Sequence, residues 1–338
     1  MAPQKYTKAF EDGEGYMSWF HTHVRRAFSR RNFVFLGMFA PATVAHAEPH
    51  EHPAPAAPPP PPPHARSAKR TVFDAHLHCP SANGEVWQWH PVTKTFAEFA
   101  AYLDRTGVQR GIINSVRSQL AKDAAGFIEG NREVARYAEK YKGRFVPACV
   151  VNPMLIDEAL REMEECRKQY GMVWVGELCN YTVPYQYTIK EFELLVEQAT
   201  KLNMVLDVHT ELDEMEYIIG KFPQATIVFP HFGDGNEYGH IHKRIDLVAS
   251  HKNCYLDTSG YGHDRVGMLE YAVQTIGPDR VLFGSDFSIN DPSTVIARIE
   301  HAFLTEEQRE KILSKNLEAL LETRWGKPPG LRAGIHAG

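Results

Sequence analysis

The sequence predicts an α/β fold, a (β/α)8 TIM barrel with its functional site at the C-terminal face of the strands. Three observations predict it. From Thr71 onward, short β-branched runs alternate with amphipathic stretches, about eight times in roughly 250 residues, the rhythm of βαβ units closing into a barrel. Ionisable residues fall repeatedly at the ends of those runs. No GxGxxG follows the first run, which weakens the open, doubly wound alternative.

In chain order, the expected strands are Val72–His78, Gly111–Val116, Phe145–Val151, Met172–Leu178, Met204–His209, Thr226–His231, Asn253–Asp257 and Val281–Ser285. Helices fill the gaps. Those with the clearest helical spacing of apolar residues are Ala124–Tyr141, Ile156–Tyr170, Ile189–Leu202 and Met268–Ile276. A further helix is expected over Thr305–Glu322, opened by the capping box Thr305-Glu-Glu-Gln308. The barrel domain therefore spans residues 70–325, with a loose tail over 326–338.

The first 69 residues read differently. Arg30-Arg31-Asn32-Phe33 precedes a weakly apolar run, Phe35–Val44, and Ala45-His46-Ala47 follows it. Basic start, apolar stretch and small-x-small end are the parts of an export signal, here of twin-arginine type, with an N-terminal extension before it. The expectation is a signal over 1–47, recognition by the twin-arginine export machinery, and a periplasmic or otherwise exported enzyme. The apolar run, at roughly ten residues, is too short for a stable membrane span. Residues 48–69, with unbroken proline from Pro58 to Pro63, form a stiff spacer that cannot pack a core.

Composition narrows the function. A net charge of −5 and no basic stripe argue against nucleic acid as a partner, leaving a small-molecule substrate. The five cysteines form no CxxC pair, so neither a thiolate zinc knot nor a dense disulfide framework is expected.

The informative residues stand where strands end. His76 and His78 close the first strand, and their two-residue spacing puts both imidazoles on one face. Glu177 nearly ends the fourth, His209 the fifth and His231 the sixth, while Asp286 follows the eighth. In a parallel barrel these ends share one rim, so the six residues converge. Desolvating such a cluster is costly unless a cation sits among them, and imidazole with carboxylate suits Zn2+ or a similar divalent ion. Taken singly, each has an ordinary structural use; Asp286, for instance, could cap the next helix. Arg117, just past the second strand, could pair with a substrate carboxylate or sit in a surface salt bridge. Asp257 and Ser259 follow the seventh strand. Trp87, Trp89 and His90 lie in the first loop, and Tyr181, Tyr185 and Tyr187 in the fourth; all these could line a pocket.

Asp74-Ala-His-Leu-His78, the strand ends at His209 and His231, and Arg280-Val-Leu-Phe-Gly-Ser-Asp286 resemble the amidohydrolase superfamily. The nearest branch is the one that includes aminocarboxymuconate semialdehyde decarboxylase and many metal-dependent hydrolases. The resemblance covers roughly Thr71 to Trp325. It implies metal ligation by His76, His78, His209 and Asp286, proton transfer by His231 and Asp286, and a homodimer. In other branches a fourth-strand glutamate ligates or bridges metal; Glu177 as a ligand, and with it one ion or two, stays open. The implied reaction is hydrolysis of an ester, lactone or amide by a metal-activated water. The alternatives are metal-dependent non-oxidative decarboxylation, or an exported metal-binding protein without catalysis.

Overall fold

The computed structural model describes residues 70–87, 92–233 and 238–325. The expected export signal, spacer and tail, and Trp89 and His90, lie outside them. Among the described residues no helix is long and apolar enough to cross a membrane.

All strand pairs are parallel and form two arcs. One holds β1 (Phe73–Cys79), β2 (Arg110–Ser115) and β3 (Phe145–Pro147); the other holds β4 (Trp174–Leu178), β5 (Val205–Val208), β6 (Ile227–Phe229), β7 (Cys254–Asp257) and β8 (Val281–Leu282), each in sequence order. Single bridges join the arcs at both seams, Leu77 with Phe287 and Cys149 with Val175. Ala75 N–H donates to Phe283 O at 2.8 Å and Cys149 N–H to Trp174 O at 2.8 Å, so the barrel closes. A closed (β/α)8 barrel is what the strand–helix rhythm predicted.

Alternation along the strands sorts the core into two layers. Ile112, Trp174, Val205, Val228 and Leu282 fill the barrel, while their neighbours Ile113, Val175, Leu206, Phe229 and Val281 pack outward against the helices. The last helix, Asn316–Trp325, closes the barrel floor with Leu317, Leu320 and Leu321. Leu320→Ala removes a side chain that is 2 % exposed. We expect it to cost roughly 2–5 kcal/mol in urea unfolding, whereas an alanine at exposed Glu322 should be nearly neutral.

Several expected strands are shorter in the structure. β6 stops at Phe229 because Pro230 has no N–H to donate and His231 turns to φ 65°. β8 stops at Leu282 because Phe283 N–H donates instead to Ile312 O at 2.9 Å. β3 stops at Pro147, although Ala148 N–H still reaches Ile113 O at 2.9 Å. The helices Ile156–Tyr170 and Met268–Ile276 have the predicted bounds. The final helix forms its Thr305 capping box but is split by a π-helical turn over Lys311–Lys315. Arg280 donates to the carbonyls of Val248, His251, Cys254, Ala249 and Ile276, binding the floor ends of β7 and two helices together.

Candidate metal centre

The site sits on the inner face of the barrel, above the apolar layer. Two strands change parity to build it. Phe73 and Ala75 point inward and Leu77 outward, so the regular two-residue period breaks between Asp74 and Leu77, where the pairing register with β2 also shifts. The irregularity turns His76 and His78 inward together. Asp74 fixes it from behind, accepting from His76 N at 2.9 Å and Ser285 N at 3.0 Å. β4 shifts register likewise between Val175 and Leu178, which brings Glu177 into the barrel. Gly176 makes this possible: at φ 127° a Cβ there would stand 2.1 Å from Asp207 O.

The six expected residues meet. The ligand atoms of His76, His78 and Asp286 lie within 4.8 Å of one another, as do those of Glu177, His209 and His231. Glu177 joins the trios. Its Oε2 is 3.4 Å from His76 Nε2 and 3.5 Å from His78 Nε2; its Oε1 is 3.0 Å from His209 Nδ1 and 3.8 Å from His231 Nε2. Asp286 Oδ1 is 3.1 Å from His78 Nε2. His231 and Asp286 both hold positive φ, 65° and 61°, a backbone state that non-glycine residues rarely take and that clusters at functional sites. Asp286 does not cap the next helix; Asp291 does, its carboxylate accepting from Ser293 N.

The hydrogen bonding tests whether a cation fits. His76 Nδ1 lies 3.2 Å from Asp257 Oδ2 and His78 Nδ1 lies 2.9 Å from Asn114 Oδ1. Both acceptors call for an N–H on Nδ1, which leaves the lone pair of each ring on Nε2. Those two Nε2 atoms face each other at 3.0 Å. Two acceptors at that distance repel unless a positive centre stands between them, so the donor set fits a divalent ion.

The electrostatics agree. Burial works to lower the His76 pKa, but the carboxylates of Glu177 and Asp257 overcome it and lift His76 well above the histidine range. Burial works to raise Glu177, yet His76 and His209 hold it well below the carboxylate range. Carboxylates in this pocket thus demand positive charge, from imidazolium protons or from a metal that displaces them. Burial, and then nearby His209, lower His231, favouring its neutral form.

The remaining expected residues divide. Trp87 stacks on His78, with ring centroids 5.4 Å apart and an 8° interplanar angle, and Tyr181 stands edge-on to His209 at 5.0 Å. Tyr187 is buried and its hydroxyl donates to Leu178 O at 3.2 Å, so it packs a loop rather than lining the mouth. Arg117 is not among the clustered groups; its Nη1 is 3.6 Å from Glu133 Oε1. Sequence reasoning missed Asn114 and Asp207. Each lies two residues from an inward apolar side chain, Ile112 and Val205, a polar break in a β-branched run that was the available signal. Asp207, with Oδ2 on Trp174 Nε1 at 3.2 Å, is pushed well above the carboxylate range by burial.

A family model described as amidohydrolase matches residues 73–322. The chain belongs to the amidohydrolase family. This amidohydrolase is 23% identical over 269 residues to the gamma-resorcylate decarboxylase of Polaromonas sp. (strain JS666), a match covering 63% of this chain and 79% of the relative. The 2,6-dihydroxybenzoate decarboxylase from Rhizobium superposes with a TM-score of 0.58 at 18% identity, over 75% of this chain and 99% of that one. A dihydroxybenzoic acid decarboxylase from Polaromonas, solved with bound manganese, gives 0.58 at 20% over 75% and 97%. At these identities the structural likeness is one of fold. The relatives fall in the branch that the sequence motifs resemble, and their named reaction is the alternative reading above rather than the hydrolytic one. Divalent-metal binding is common ground; the named ion is manganese, and zinc remains an expectation.

Proposed function

We propose that this amidohydrolase is a two-ion hydrolase acting on an ester, lactone or amide bond of a small, flat substrate. The position of Glu177 supports this reading most directly: one carboxylate oxygen turns to His76 and His78, the other to His209 and His231. His76, His78 and Asp286 would hold one divalent ion, His209 and His231 the other, with Glu177 between. When bound, such ions polarise a carbonyl and make water a competent nucleophile near neutral pH. Asp286 would accept the proton released as water attacks, and Asn290 Nδ2, 3.1 Å from Asp286 Oδ2, would steady that carboxylate. Trp87 and Tyr181, packed edge to face with ring centroids 6.4 Å apart, would offer a flat substrate aromatic surface beside the centre.

Decarboxylation is the second reading, favoured by the named relatives and by the same aromatic mouth, which suits a hydroxyaryl acid. With one ion held by His76, His78, His209 and Asp286, His231 would protonate the ring carbon as the carboxyl group departs as carbon dioxide. Metal analysis separates the two readings. The hydrolytic one expects about two ions per chain, falling to about one in Glu177→Gln, with turnover of aryl esters or lactones. One ion per chain, together with carbon dioxide release from hydroxybenzoates, would replace it with the second.

A further inference from the structure

The turn after β7 wraps around His231, and its contacts are more specific than packing requires. Ser259 Oγ lies 3.0 Å from His231 Nδ1 and donates its proton to Asp257 Oδ1. The same Asp257 oxygen also accepts from Ser259 N at 2.8 Å and faces His231 N at 3.4 Å. Gly260, at φ 60°, lies directly beneath the imidazole: a Cβ there would stand 2.2 Å from His231 Nδ1. Ser259 and Asp257 are both wholly buried, so water cannot substitute in these bonds.

A serine hydroxyl has one proton. Given to a carboxylate, the strongest acceptor within reach, it leaves the oxygen only lone pairs for its other neighbours. His231 must then offer an N–H at Nδ1, and its own lone pair sits on Nε2, the atom that faces Glu177. We infer that Ser259 is a positioning residue: it relays the Asp257 carboxylate to His231 and selects the tautomer that presents Nε2 to the metal centre. Asp257 thereby orients two histidines at once, His76 directly through Oδ2 and His231 through the serine hydroxyl. The inference rests on the reading above for what Nε2 does, ligating or carrying a proton, but not for the tautomer itself.

Nitrogen-15 histidine NMR on the full-length chain, after chelation, tests it; His231→Gln identifies the His231 signals. The wild type should show His231 protonated at Nδ1. Ser259→Ala should move the proton to Nε2, and Ser259→Thr, which restores a hydroxyl, should return it. Zinc titration of the same samples should show the weaker-binding ion losing roughly 10- to 100-fold in affinity in Ser259→Ala. His231 staying protonated at Nδ1 in Ser259→Ala would overturn the inference. A chain that takes one ion yet shows the tautomer switch loses the two-ion reading and keeps this one; two ions without the switch is the reverse.

Discussion

Removing the metal, by a chelator or by His76→Ala or Asp286→Asn, should abolish turnover while leaving the barrel folded. Asparagine is the better substitution at Asp286, because it tolerates the φ of 61° there and alters only the charge and one acceptor. A Lewis-acid ion supplies several kcal/mol of transition-state stabilisation, and each 1.36 kcal/mol is tenfold in rate, so the loss should be on the order of 10³-fold or more. The same variants should lose bound metal in elemental analysis. A ligand that binds only the folded chain, at about 100 times its dissociation constant, adds about 2.7 kcal/mol of stability. Chelation should therefore lower the melting temperature by roughly 5–10 °C for a domain of this size. A metal-free wild type with full activity, or variants that keep both metal and rate, would remove the central claim.

Asp257→Asn should have the next largest effect, although Asp257 is wholly buried. Its two oxygens serve both sides of the centre, Oδ2 on His76 and Oδ1 on Ser259. Burial alone would raise its pKa, but the His76 hydrogen bond and charge overcome this and hold it below the usual aspartate value, so it is the ionised form that the site uses. An amide is neutral, and it can mispair by presenting its NH2 group to His76. Outer-shell partners of ligating histidines are typically worth 10- to 100-fold in metal affinity or activity, and Asp257 supports two histidines. We expect about 10²-fold in affinity for at least one ion, with thermal unfolding of the metal-free chain little changed. An isotherm matching that of the wild type would show that the carboxylate does not orient the ligands.

Much of this was legible in the chain. The βαβ rhythm reported the barrel, since short, nearly continuous apolar runs alternating with amphipathic helices are what a parallel sheet buried on both faces requires. Ligand types at strand ends reported the rim, since parallel strands share one C-terminal face. The inward turn of His76, His78 and Glu177 was reached only in part. Strict alternation from Phe73 would send both histidines outward, and alternation from Trp174 would do the same to Glu177. Local irregularities correct this, and they depend on Asp74 reaching Ser285 and on Gly176 passing Asp207.

The chain by itself therefore determined the fold and the rim where the candidate ligands gather, because both follow from local periodicity and side-chain chemistry. Tertiary structure alone decided that Glu177 stands between two histidine pairs, that Arg117 faces Glu133, and that one buried carboxylate orients two imidazoles. Those facts are distances between residues far apart in sequence, set by how neighbouring strands pair and shift register. No pattern within a single strand encodes them.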